Sequence, residues 1–140
     1  MKVLILALLV AGCAGGTLRR EANERLEDYL SYAGPPVDSF RFFRLYGWQA
    51  VGPTRLVIWS TAFDAYLVTV QEPCPRLEFV QRIGVTSTIE TVSTLESIVL
   101  RDHERCPITQ IRPIDLKRMN ADRAAQRAAA KASATSGNAR

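Results

Sequence analysis

Residues 54–70, TRLVIWSTAFDAYLVTV, decide the fold of this chain. Two runs rich in β-branched and aromatic residues, TRLVIW and AYLVTV, lie on either side of the short segment STAFD. Runs of this composition that are separated by a few residues are typical of a β-hairpin. We therefore expect two consecutive antiparallel strands here.

Further strand-like segments occur on both sides of this hairpin. Upstream, SFRFFRLYGW (39–48) is rich in aromatic residues and leads to a turn at Gly52-Pro53. The segment EPCPRLEFVQRIG (72–84) carries apolar residues at three-residue spacing, which predicts a short helix or helical loop. Three downstream segments have strand composition, and Pro113 is expected to end the last of them: VTSTIETV (85–92), ESIVLR (96–101) and CPITQIR (106–112).

A helix is expected at each end of the globular part. The first has an apolar face and ends at Gly34, which two prolines follow; that face comprises Ala22, Leu26, Tyr29, Leu30 and Ala33. Asp115 can cap an alanine-rich second helix, LKRMNADRAAQRAAAKA (116–132), and SATSGNAR (133–140) is expected to be disordered. The predicted fold is α+β, a small antiparallel curled sheet or partly open barrel of about five or six strands with an N-terminal and a C-terminal helix.

The first thirteen residues, MKVLILALLVAGC, have the features of a lipoprotein signal. Lys2 precedes the apolar run Val3 to Val10. This run is too short to span a bilayer, which requires about 20 apolar residues. The ending Val10-Ala11-Gly12-Cys13 resembles a bacterial lipobox, in which the cysteine is diacylated and the signal is cut before it. The alternative is an ordinary signal peptide with Cys13 as a free thiol, a liability in an oxidising compartment.

Lipidation at Cys13 would hold the mature chain stably on a membrane, because two or more acyl chains anchor a protein without spanning the bilayer. Ala14 stands where lipoproteins kept at the inner membrane often carry aspartate, so we expect the outer membrane, with the domain facing the periplasm. The predicted organisation is a signal peptide (1–12), a lipidated tether (13–17), a globular domain (18–116) and a basic alanine-rich helix with a disordered tail (117–140).

Two cysteines remain once Cys13 is lipidated, and an even pair in an oxidising compartment favours a disulfide. Joining Cys74 to Cys106 would close a loop of 33 residues, which is worth about 3–4 kcal/mol in the loop-entropy account. A metal site is not favoured, because only His103 could join them and no CxxC or HxxxH spacing occurs. We expect no metal and no cofactor.

The positive charge of the chain belongs to its tail. Residues 117–140 hold six basic residues and one acid, whereas residues 13–116 hold eleven basic and thirteen acidic residues. A basic tail on an exported protein does not predict nucleic-acid binding. Its row Arg123, Arg127 and Lys131 is a candidate contact for anionic lipid headgroups or cell-wall polymers, with a solvated helix end as the alternative.

An aromatic and arginine-rich segment is the other candidate surface. Aromatic faces stack on sugars and peptides, and arginine binds carboxylates. The alternative is a core strand with exposed arginines. The candidate residues for a ligand or partner surface are Phe40, Arg41, Phe43, Arg44 and Trp48.

No catalytic residue is predicted. His103 is flanked by Asp102 and Glu104, yet neighbours in a strand or turn point in different directions. The chain has no GxSxG, HExxH or glycine-rich phosphate motif. We expect binding or structural support rather than catalysis, with an inhibitor of a cell-wall enzyme or an enzyme of unrecognised class as alternatives. An envelope protein or the cell wall would be the partner.

Three motifs resemble those of a known family. Asp-Ala-Tyr-Leu (64–67), Cys-Pro-x-Leu-x-Phe (74–79) and Cys-x-Ile-x-x-Ile-x-Pro (106–113) occur in this order within residues 31–116. They are similar to motifs of a family of small Gram-negative lipoproteins catalogued as a domain of unknown function. The resemblance implies an envelope lipoprotein with paired cysteines at Cys74 and Cys106, and it implies no activity.

The lipobox generates the first prediction. Cys13→Ser should leave unprocessed precursor and abolish labelling by radioactive palmitate, because the thiol that accepts the lipid is gone. Palmitate labelling of the variant at the level of the natural chain would contradict the lipid anchor.

Overall fold

The computed structural model describes residues 14–137, with side chains from residue 20 onward. Cys13, the signal peptide and the last three residues lie outside this range. The elements in chain order are α1 (Ala14–Tyr32), β1 (Ser39–Arg41), β2 (Gly47–Gly52), β3 (Arg55–Trp59), β4 (Ala65–Val70), β5 (Gly84–Val85), β6 (Thr91–Ser93), β7 (Ser97–Val99), a 3₁₀ turn (Arg101–His103), β8 (Arg105–Ile114) and α2 (Leu116–Gly137).

Six strands form one curled antiparallel sheet in the order β2-β3-β4-β8-β7-β5, and β1 pairs with β6 in a separate ribbon. The predicted hairpin is β3–β4, in which Leu56 lies opposite Val68 and Ile58 opposite Tyr66. Two helices and a half-barrel sheet confirm the predicted α+β class.

The β3–β4 hairpin is buried on both faces, which explains its unbroken apolar runs. Leu56, Ile58 and Val68 belong to one core cluster, whereas Val57 and Leu67 belong to a second. Because successive side chains of a strand point to opposite faces, the two clusters lie on opposite sides of the sheet. Both helices cover the second face. The β1–β6 ribbon and the loop after β4 cover the first, through Phe40, Val92 and Leu77.

Strand β8 changes partner along its length. Its first residues pair with β7, Pro107 lying opposite Ser97, and the residues from Ile108 onward pair with β4. Pro107 has no N–H, but its carbonyl accepts a hydrogen bond of 2.8 Å from the Gln71 amide. Pro113 does not end the strand as expected, since it lies opposite Tyr66 within β8.

The predicted N-cap of α2 is confirmed, because Asp115 Oδ1 accepts a hydrogen bond of 3.0 Å from the Arg118 amide.

Polar contacts join the two helices to each other. The Tyr32 hydroxyl donates to Asp122 at 3.0 Å, and this bond raises the pKa of Tyr32 above 10.0. Arg123 donates to Asp28 on α1.

Two local expectations change. Ala14–Thr17, expected to be a tether, belong to α1, and residues 133–137, expected to be disordered, continue α2. Only Ala134 among these five residues has high helix propensity, and the extension follows from the low cost of adding turns to the alanine-rich helix already formed before them. Of the two alternatives expected after β4, the helical loop is confirmed: residues 72–83 form no regular helix, and the amides of Phe79 and Val80 both donate to the Arg76 carbonyl.

A disulfide joins Cys74 to Cys106, with Cα atoms 5.7 Å apart. Replacing both cysteines by serine should lower the free energy of unfolding by about 3–4 kcal/mol, because the unfolded chain gains the entropy of an open loop. Urea unfolding of the two proteins measures this difference. Equal stability with and without the disulfide would contradict a structural role.

The two ends of α2 should contribute unequally to stability. Leu116 and Met119 are buried, whereas residues 133–137 are exposed. A chain ending at Ala132 should unfold within about 0.5 kcal/mol of the full chain. A chain ending at Asp115 should lose about 2 kcal/mol or more, since it loses two packed side chains. Urea unfolding measures both differences. If the two truncations lower the free energy of unfolding by similar amounts, the packing of Leu116 and Met119 does not account for the contribution of α2 to stability.

Candidate functional site

A groove of about 800 Å³ opens at one edge of the sheet. The loop between β4 and β5 forms one wall, and the end of β7 with the 3₁₀ turn forms the other. The lining residues are Arg76, Phe79, Val80, Gln81, Arg82, Ile83, Gly84, Val99, Leu100 and Arg101. A concave site of this size is typical of small-molecule binding in proteins.

The disulfide fixes the two walls relative to each other. Cys74 lies two residues before Arg76, and Cys106 follows the 3₁₀ turn on β8. Leu77, which is buried in the first core cluster, attaches the loop to the sheet. Arg76 Nη1 lies 3.8 Å from Asp102 Oδ2, so an ion pair also crosses between the walls. The pair is exposed and contributes more to orientation than to stability.

Left-handed backbone conformations shape both walls. Arg76 has a φ of 75°, and Asp102 and His103 have φ values of 66° and 61°. Such conformations are unfavourable for residues other than glycine, with a cost on the order of 1–3 kcal/mol each. The Leu100 amide donates to the Glu104 carbonyl at 2.8 Å and closes the turn. The tight turn therefore places Arg101 at the groove.

The groove combines positive charge with an apolar surface. Three guanidinium groups line it, and none of the described lining residues is acidic. Val80 and Ile83 are partly buried against the first core cluster, and Phe79 is 83% exposed at the same site. Guanidinium groups bind carboxylate and phosphate oxygens through paired hydrogen bonds. This arrangement can bind an anion and hold apolar atoms beside it.

The predicted aromatic surface is divided between core and solvent. Phe40 is 5% exposed and stacks on Tyr66 with ring centroids 4.1 Å apart, so it is a core residue and cannot serve as a surface. Trp48 packs partly against the same core cluster. Arg41, Phe43 and Arg44 are exposed but do not line the groove.

The predicted basic row on α2 is also divided. Arg123 is half-buried, bonded to Asp28 and 5.7 Å from the centre of the Tyr29 ring. The bond to Asp28 raises the pKa of Arg123 above its ordinary value. Arg123 is thus occupied between the helices, whereas Arg127 and Lys131 are exposed.

His103 is exposed in the 3₁₀ turn. Within residues 20–137, no hydrogen bond joins its ring to Asp102 or Glu104. No group of three or more histidine, cysteine, aspartate or glutamate side chains suited to a metal occurs in the part of the chain that the structure describes. No helix within residues 14–137 is long and apolar enough to cross a membrane.

Sequence reasoning missed the groove arginines and Phe79. Arg76 and Arg101 are distant in sequence, and the disulfide, the pairing of β5 with β7 and the Arg76–Asp102 ion pair bring their segments together. The signal available was the position of each arginine relative to its cysteine, since Arg76 follows Cys74 by two residues and Arg101 precedes Cys106 by five.

Comparison with curated proteins and with solved structures finds no match. A family of unknown function, DUF6491, matches residues 1–130. Since the match covers most of the sequence, the chain belongs to the DUF6491 family.

Proposed function

We propose that this chain is a cell-envelope lipoprotein whose folded domain acts by binding an anionic ligand rather than by catalysis. Lipid on Cys13 would anchor it to the outer membrane, with the domain facing the periplasm. The observation that carries the proposal is the groove, where three arginines and no described acidic side chain surround an apolar surface. The ligand would come from an envelope protein, the cell wall or the membrane.

Two features support the envelope location. The lipobox at Val10-Ala11-Gly12-Cys13 provides the lipid attachment. The Cys74–Cys106 disulfide is of the kind that persists in oxidising compartments such as the periplasm. Together they favour an exported chain that folds after it crosses the inner membrane.

The chemistry of the groove supports binding. Its side chains are guanidinium, amide or apolar groups, together with the small residue Gly84. Arginine stays protonated at neutral pH and is therefore neither a nucleophile nor a general base. The same groups are suited to holding an anion, because each guanidinium donates several hydrogen bonds and retains its charge.

An inhibitor or modulator of a cell-wall enzyme is the second candidate. Ile89 is 91% exposed at a tight turn, where Thr88 and Thr91 exchange backbone hydrogen bonds of 2.9 and 3.0 Å. Ile89 and Glu90 have φ values of 49° and 53°. A rigid loop with an exposed apolar tip can enter an enzyme cleft with little loss of entropy.

The binding proposal is tested with pyrophosphate, titrated at low salt by calorimetry against the full chain held in micelles of a phosphate-free maltoside detergent. Changing Arg82 and Arg101 together to glutamine should weaken binding about tenfold, equivalent to about 1.4 kcal/mol, because two guanidiniums that face the anion are lost. The matched control changes Arg41 and Arg44 to glutamine, which removes the same charge outside the groove.

The two double variants separate a site from general attraction. Weaker binding by the groove variant alone supports the proposal. Equal weakening by both variants would mean that pyrophosphate responds only to net charge, and binding that neither variant changes would exclude the groove as the anion site.

A further inference from the structure

We infer that the ligand of the groove is a phosphate-headed lipid. Its head would contact Arg76, Arg82 and Arg101, and its acyl chain would lie along Phe79 and the apolar wall. This inference rests on the proposed anion-binding function and adds the chemical class of the ligand.

Phe79 is the first indication of an apolar ligand. It is 83% exposed, although it lies in a loop that is fixed by the buried Leu77 and by the disulfide at Cys74. Its amide donates to the Arg76 carbonyl at 2.9 Å, so its backbone is held in a defined turn. A large aromatic side chain that is both positioned and exposed is suited to covering an apolar group of a ligand.

The apolar surface continues from Phe79 into the groove. Val80 and Ile83 pack partly against the first core cluster, and Leu100 on the opposite wall is 5% exposed. These side chains face the same cavity as the three guanidiniums. A purely ionic ligand would leave this surface in water, whereas an acyl chain would cover it.

The positive charge at the groove favours a lipid with an anionic phosphate headgroup. Three arginines and no described acid line the cavity, and the ion pair with Asp102 orients one of the guanidiniums. A phosphate group has several oxygens, and a guanidinium group binds two of them at once through paired hydrogen bonds. The arginine stems also pack along apolar groups while the charged ends reach the phosphate.

An extended peptide fits the site less well. A peptide binds beside a sheet by adding a strand to an unpaired edge. The edge strand at the groove is β5, which comprises only Gly84–Val85 and offers little backbone for such pairing. A membrane-anchored chain, by contrast, has lipids beside it at all times. The structure therefore favours a lipid over an acidic peptide segment.

The experiment places a photo-crosslinking phenylalanine analogue at position 79 of the full chain, in cells fed radioactive phosphate. The control places the same analogue at position 63, because Phe63 is 86% exposed but lies in the β3–β4 turn outside the groove. After irradiation the chain is purified under denaturing conditions. The lipid attached at Cys13 in a lipoprotein contains no phosphate, so radioactive label reports a captured lipid.

We expect label on the chain at its own mass with the analogue at position 79, and little at position 63. Adding Arg82→Gln and Arg101→Gln to the position-79 chain should lower the label about tenfold, in line with the loss of charged groups that anchor a ligand. Equal label at both positions, crosslinks only to another protein, or no label would each overturn the lipid assignment.

The pyrophosphate titration distinguishes the two proposals. If position 79 captures no lipid while Arg82 and Arg101 are still required for pyrophosphate binding, the anion site stands and the lipid assignment is wrong. If both fail, the groove is not an anion site.

Discussion

Burial of the β3–β4 hairpin on both faces is the constraint on which the rest of the structure depends. A strand pair that is apolar on both faces needs other elements packed against each face, and two different sets of elements do this here. The helices come from opposite ends of the domain and meet on one face. The loop after β4 and the β1–β6 ribbon cover the other face, while β7 and β5 extend the sheet beside β8. The groove lies within this second cover, where regular structure is sparse.

The disulfide and the groove both lie in this region, where there is little regular secondary structure. The strands β5, β6 and β7 are two or three residues long, and the loop before them is held by turns and by Leu77. Short strands contribute few ladder hydrogen bonds, so a covalent link between Cys74 and Cys106 adds the constraint that packing does not supply. The same link keeps arginines from both segments at one cavity.

The local parts of this fold could be predicted from sequence, and the long-range parts could not. The β3–β4 hairpin, the cap at Asp115 and the two helices follow from nearby residues. The orientation of each aromatic side chain does not: Phe40 enters the core because it pairs with the buried Val92 in the ribbon with β6, whereas Phe43, which follows the ribbon, stays 65% exposed. The groove depends on two segments that are joined by the disulfide and by the pairing of β5 with β7, and no local pattern in the sequence predicts these long-range contacts.

Strand β8 also determines how the domain would carry a mechanical load. The end of α1 is fastened to β8 by Gly34, whose amide donates to Pro113 at 2.7 Å, and by Arg112, whose Nε donates to the Gly34 carbonyl at 2.8 Å. A pull on the start of α1 would therefore enter the sheet through the last residues of β8. From there it passes along the central β4–β8 ladder, which resists by sharing the force among many hydrogen bonds. Cys106 lies at the opposite end of β8, so the disulfide and the groove are separated by most of this strand from the point where such a pull would enter the sheet.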